Sequence, residues 1–185
     1  MNATLLFLAW LTPLAALAPA LSNRGRWWLP AAALPALAAG LLVPAGISVD
    51  IPWLLLGVRL GLDPTTQVFL SFTAFLWLAA GWQAALYMRD DPHFPRFRLY
   101  FLLAMSGNFG LIVGQDLMSF YLGFALMGLA AYGLVVHAGS DWVRRAGRVY
   151  LGILLSTSVG LLLLGMAWTW YLTGTLEFTP GGILA

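Results

Sequence analysis

Long apolar runs separated by short polar or glycine- and proline-rich joints dominate the chain. A hydrocarbon core of about 30 Å takes about 20 helical residues to cross, so runs of this length predict membrane spans. Six are predicted, over about 5–21, 28–43, 68–87, 97–113, 117–136 and 149–172. The expected fold class is an all-α polytopic membrane protein, a single transmembrane domain over 1–185 built as a six-helix bundle. The joints carry matching punctuation. Asp63-Pro64 is an N-cap followed by proline at the first helical position, and Asp116 and Asp141 are placed to cap the fifth and sixth helices. Arg144, Arg145 and Arg148 precede the sixth apolar run, which predicts an amphipathic lead-in outside the hydrocarbon. Residues 44–65 hold short stretches around Gly46, Pro52, Gly57 and Gly61, the signature of a hairpin-like connection. Ala18-Pro19-Ala20 resembles a cleavage site, but residues 1–4 carry no basic side chain, so the first helix is expected to be retained.

Composition narrows the classes. With 61% hydrophobic and 9% charged residues, the chain cannot coat a soluble globule, so a soluble enzyme, a secreted domain and a disordered tail are excluded. The net charge of +2 rests on nine arginines and no lysine, too scattered for a nucleic-acid footprint, and no nucleic acid is expected as partner. The absence of cysteine excludes disulfides, thiolate metal sites and cysteine nucleophiles.

Counting arginines by joint sets the orientation. Arg24 and Arg26, then Arg89, Arg96 and Arg98, then Arg144, Arg145 and Arg148 fall on one side, and only Arg59 on the other. Both termini are therefore expected on the non-cytoplasmic side of an inner (cytoplasmic) or equivalent energy-transducing membrane. Trp27, Trp28, Trp53, Trp142, Trp168, Trp170 and Tyr171 fall near predicted span ends, where interfacial rings settle.

Every ionisable side chain maps to a joint or a span end, whereas an ion pathway needs buried acids or bases. The spans instead carry small residues at four-residue spacing: Ala32, Ala36 and Gly40; Ser106, Gly110 and Gly114; Gly152, Ser156 and Gly160. Close backbone approach between helices is the expected use. Gln83, Asn108, Ser156, Thr157 and Ser158 are expected to make interhelical hydrogen bonds, with the lining of a hydrated path as the alternative. His137 ends the fifth span, either as a point where protons enter or as a helix-terminal histidine favoured by the dipole; Asp116 has the same two readings, proton uptake or cap. His93 reads as part of a solvated turn. Arg144, Arg145 and Arg148 read as an anionic-lipid contact or a docking point for a partner. No catalytic constellation, metal-ligand set or cofactor motif is present in the sequence.

The stretch from Asp116 through Ser119-Phe120-Tyr121-Leu122-Gly123-Phe124-Ala125-Leu126-Met127-Gly128 to Leu134 resembles the fifth helix of the antiporter-like subunits of respiratory complex I (NADH-quinone oxidoreductase), Mrp-type sodium/proton antiporters and membrane-bound hydrogenases. Gly61-Leu62-Asp63, Tyr87-Met88, Arg148-Val149-Tyr150 with Ser156, the run from Leu161 to Gly165, and Thr173-Gly174-Thr175 are similar, in order, to segments around that family's third and sixth helices. The resemblance covers the family's first six helices and implies proton or sodium translocation through a buried glutamate coupled to buried lysines on later, partly broken helices. The family usually has Trp-Glu where this chain has Phe124-Ala125, so the acid position is vacated at Ala125. Lysine is absent altogether. The resulting expectation is a non-catalytic, shortened antiporter-like subunit acting as scaffold or adaptor, partnered by other membrane subunits and the lipid bilayer. The alternative is the N-terminal half of a split proton- or sodium-translocating subunit completed by a partner chain.

Overall fold

A computed structural model describes residues 2–20, 25–52 and 57–178. Its elements are α1 (Asn2–Ala15), α2 (Leu17–Ala20), α3 (Trp28–Ala31), α4 (Leu34–Leu42), β1 (Ile47–Ile51), β2 (Val58–Leu62), α5 (Pro64–Tyr87), α6 (Phe94–Val113), α7 (Leu117–Val135), α8 (Asp141–Ile153) and α9 (Gly160–Thr173). A 3₁₀ turn over Val136–Ala138 closes α7, and a π turn over Leu154–Val159 joins α8 to α9 as one rod. Among the described residues, three helices are long and apolar enough to cross a membrane: Pro64–Tyr87, Leu117–Val135 and Asp141–Thr173. Shorter apolar helices cover Thr4–Ala15 and Trp28–Leu42.

The predicted second span is not one straight helix. Pro35 has no N–H to give the carbonyl of Ala31, and its ring crowds that carbonyl. The backbone accordingly turns at Ala32–Ala33 and restarts at Leu34. α6 begins at Phe94, three residues before its predicted start, with Pro95 in its first turn. α8 begins at Asp141, so the arginine-bearing lead-in is continuous with the sixth apolar run. Its cap is Ser140, whose Oγ accepts from Val143 N at 3.4 Å, and the predicted cap Asp141 sits inside the first turn. Arg24, Trp53 and the end of the first span at Leu21 lie outside the described residues.

Neighbouring helices run antiparallel. Along α6 and α7, Tyr100 meets Gly133, Gly107 meets Gly123 and Met127, and Gly114 meets Ser119. Leu29 packs on Gly81 and Gly40 on Ser71, and further along Gly147 meets Val136 and Gly128 meets Leu154. α6 is the central element, with Phe101, Leu102, Met105, Ser106, Gly107, Phe109, Gly110 and Val113 all buried. Large apolar side chains face outward instead, including Phe69, Phe72 and Phe75 on α5 and Leu161, Leu164 and Trp168 on α9. That arrangement suits lipid as the surrounding solvent.

The glycine-rich connection forms an antiparallel β1–β2 hairpin in register Ile47–Leu62, Val49–Leu60 and Ile51–Val58. It sits at the end of the bundle where α6 stops, α7 starts and α9 stops, through bridges from Leu60 to Gly114 and from Asp116 to Glu177.

Candidate functional site

Two polar ends and one apolar midsection need separate description. At the hairpin end, β2 presents Arg59 to three carboxylates. Its backbone N–H donates to Asp116 Oδ2 at 2.7 Å, its Nε to Asp50 Oδ1 at 2.6 Å and its Nη1 to Glu177 Oε2 at 2.9 Å. Asp116 is buried and also accepts from Ser119 N at 2.8 Å, capping α7, and from Ser119 Oγ. Backbone bonds reinforce the junction: Gln115 N donates to Arg59 O and Leu117 N to Leu176 O, both at 2.8 Å. Asp50, by hydrogen bond and charge, and then Glu177 raise the Arg59 pKa above its ordinary value. The side chains of this clasp are 39–60% exposed, so its ion pairs stabilise little and its buried backbone-to-Asp116 bond matters more. Beside it lies a cleft of about 650 Å³, rimmed by Asp50, Arg59, Asp116 and Glu177 and walled by Leu163 and Trp170. A charged rim over an apolar wall is suited to an amphiphile and offers no nucleophile or metal-binding set. Among the described residues no three histidine or carboxylate groups converge on a metal position.

At the opposite end, the α5–α6 joint is latched to the end of α7. His137 Nε2 lies 3.1 Å from Asp91 Oδ2, and the imidazole packs edge-on against Phe97. The hydrogen bond from His137, followed by that from the His93 backbone, holds the Asp91 carboxyl below its ordinary pKa. Arg98, counted in the sequence with the joint arginines, is instead 2% exposed inside the first turns of α6, over the Phe94 ring. Arg144 Nε donates to Gly139 O at 3.1 Å. Arg144, Arg145 and Arg148 are all exposed along α8.

Between the ends, Ala125 is partly buried on α7. It lies three residues from Gly128 and so shares its face. That face meets the α8–α9 rod where the π turn begins, with Gly128 against Leu154 and Tyr150 Oη donating to Gly128 O at 3.2 Å. π turns inside α-helices recur at functional positions. Here the hydroxyls of Ser156 and Thr157 bond back to Gly152 O and Ile153 O of their own helix, both at 2.6 Å, and reach no other helix.

The small-residue stripes divide in use. Ala32, Ala36 and Gly40 are buried, Ser106 Oγ donates to Trp10 O at 3.0 Å, and a Cβ on Gly110 would lie 2.6 Å from Trp10 Nε1. A Cβ on Gly114 would lie 3.0 Å from Ser119 Cβ. The third stripe packs against no other helix among the described residues. A Cβ on Gly152 would meet nothing within 4 Å, Ser156 is exposed, and Gly160 approaches only Leu155 of its own π turn. The closest backbone approach is one the spacing rule passed over, Gly107 against Gly123, where each Cβ would strike the facing main chain. Its signal in the sequence is a glycine in each of two consecutive helices, offset from the four-residue stripes. Asn108 accepts from Trp77 Nε1 at 3.0 Å and donates toward Met127 Sδ, an interhelical bond. Gln83 is exposed.

Comparison with known proteins converges on this region. Residues 114–180, from the start of α7 to just past α9, match the family model described as NADH:quinone oxidoreductase/Mrp antiporter, TM. The chain is 38% identical over 84 residues to NADH-quinone oxidoreductase subunit N of Halorhodospira halophila, covering 43% of this chain and 17% of that one. It is 31% identical over 121 residues to a probable K(+)/H(+) antiporter protein of Rhizobium meliloti, covering 65% and 22% respectively. The aligned stretches thus span about a fifth of these relatives. Among solved structures, the fold superposes on a chain of the membrane-bound sulfane sulfur reductase, an archaeal respiratory membrane complex, with a TM-score of 0.75 at 17% identity, covering 95% of this chain and 38% of the other.

Proposed function

Because the chain resembles the antiporter-like membrane subunits of complex I and Mrp-type complexes in sequence and in fold, we propose that it is a membrane subunit of that kind serving as a scaffold or adaptor in a multi-subunit ion-translocating or energy-converting complex. One observation carries the scaffold reading. Position 125, at which the resemblance implies the buried acid of the proton path, is an alanine with no proton to exchange. No Asp or Glu stands one turn away at 121, 122, 128 or 129 to replace it. An orientation with both termini outside the cytoplasm belongs to the same proposal, supported by the arginine asymmetry between the two ends.

The test is transport by the chain in liposomes, wild type against Ala125→Glu. The scaffold reading predicts no cation-dependent proton flux from either. Flux in the wild type would overturn it.

A second reading is favoured by a separate observation: the outer face of the α8–α9 rod, with Gly152, Ser156 and Gly165 on it, meets no helix among the described residues. There the chain is one half of a translocating subunit, and lysine-bearing helices on another polypeptide pack against that face. It predicts that Ala125→Glu changes cation-dependent flux once the partner chain is co-reconstituted.

A further inference from the structure

We propose that Arg144, Arg145 and Arg148 of α8 form a binding patch for the phosphate of an anionic phospholipid. Three observations place a lipid headgroup there. The first is unmatched charge. At this end of the molecule Asp91 is engaged by His137 and Asp90 by Arg89. Among the described residues, no carboxylate forms an ion pair with Arg144, Arg145 or Arg148, although Asp141 stands one turn before the first two. At the other end Arg59 alone has two carboxylates.

The second observation is depth. α8 runs without a break through the π turn into the apolar α9, and Arg148 immediately precedes the apolar run beginning at Val149. Four residues of helix rise about 6 Å from Arg148 to Arg144, and the headgroup layer on each side of the hydrocarbon is about 5–8 Å thick. The guanidinium groups therefore span the depth of the phosphates. Trp142, 77% exposed one turn further out, is an interfacial ring at the same level.

The third is geometry. Arg144 and Arg148 share a face at i, i+4, and Arg145 and Arg148 at i, i+3. The bond from Arg144 Nε to Gly139 O at 3.1 Å ties its guanidinium to the preceding loop. Neighbouring planar forks that donate in pairs suit a phosphate's oxygens. A protein dock would need an acidic partner surface at this depth, and the exposed tryptophan beside the arginines favours lipid. The patch does not depend on whether the chain conducts ions.

The experiment uses the whole chain in a neutral detergent. Lipid retention is read by native mass spectrometry with equal concentrations of phosphatidylglycerol and phosphatidylcholine as probes. Phosphatidylglycerol should be retained preferentially. Basic residues near a membrane surface contribute about fivefold each, so R144Q/R148Q should weaken retention about 25-fold, with R144K/R148K in between. R89Q, an exposed arginine already facing Asp90, should behave as wild type. Inorganic phosphate at millimolar concentration should not displace the lipid. The proposal is overturned by equal retention of both lipids by the wild type, by an equal loss in R89Q, or by displacement with free phosphate. It is also overturned if R144Q/R148Q leaves phosphatidylglycerol retention intact but loses a co-purifying protein chain. If the glutamine pair fails to insert, the wild-type lipid preference and the lysine pair still decide.

Discussion

Single positions differ in what they bear. Gly107 and Gly123 let α6 and α7 touch backbone to backbone, so a larger residue must push two helices apart. Gly107→Leu is expected to destabilise by about 1–3 kcal/mol, as overpacking does, seen as a lower thermal midpoint in detergent. Gly152→Ala meets open space and should change the midpoint little, or raise it slightly, because alanine is the better helix former. At Ala125 the prediction is directional in pH. A carboxyl placed on the Gly128 face has no base beside it and costs about 2.5–3.5 kcal/mol at a membrane-helix centre. Burial raises its pKa, so the penalty in Ala125→Glu is largest at high pH and shrinks as the carboxyl is protonated. Thermal midpoints at pH 8 and pH 5 check this, and a penalty that grows on acidification would contradict it. Of these positions, the sequence itself pointed to Ala125 through its place in a recognisable run. The Gly107–Gly123 contact was hidden, because one-helix spacing cannot say which of several small residues lies at a crossing point.

Elements show where local chemistry was legible and where tertiary context overrode it. The hairpin follows from glycines at Gly46 and Gly57 that adopt positive φ, and α5 follows from Asp63, whose Oδ1 accepts from Thr66 N at 2.7 Å. The break between α3 and α4 was legible in Pro35 and was overshadowed by the length of the apolar run. Burial of Arg98 and convergence on Arg59 depend on contacts across the chain, for which no local pattern exists, although Arg59 already stood out as the lone cation of its side. Burial also orders two substitutions at the hairpin junction. Asp116→Ala removes a buried cap and the acceptor of Arg59 N–H, and should cost about 1–2 kcal/mol. Arg59→Met breaks only exposed pairs and should cost less than about 1 kcal/mol. Urea or thermal unfolding of both variants checks the order, and a costlier Arg59→Met would mean the clasp is held by charge. The Asp91–His137 latch at the other end has a definite pH sign. The Asp91 pKa is lowered from 3.8 in the folded chain, so its contribution is complete above that value and lost as pH falls through the folded one. The difference in thermal midpoint between wild type and Asp91→Asn should persist down to about pH 4 and close below it.

The whole molecule is strongly polarised. Around the hairpin stand Asp50, Asp63, Asp116 and Glu177 with Arg59, while eight arginines and three aspartates belong to the other end. Between them no helix interior carries an acid or base, and the acid position that the family resemblance implies is filled by a methyl group. A bundle with its charge at its ends and its large apolar side chains turned outward is built to be held by lipid and by other membrane chains. The most direct measurement is the mass and composition of the particle obtained when the affinity-tagged chain is purified from its own membranes in mild detergent. The scaffold account predicts a particle well above the 20.1 kDa chain, containing further membrane subunits in fixed ratio. A stable, monodisperse monomer with no accompanying chain would contradict it.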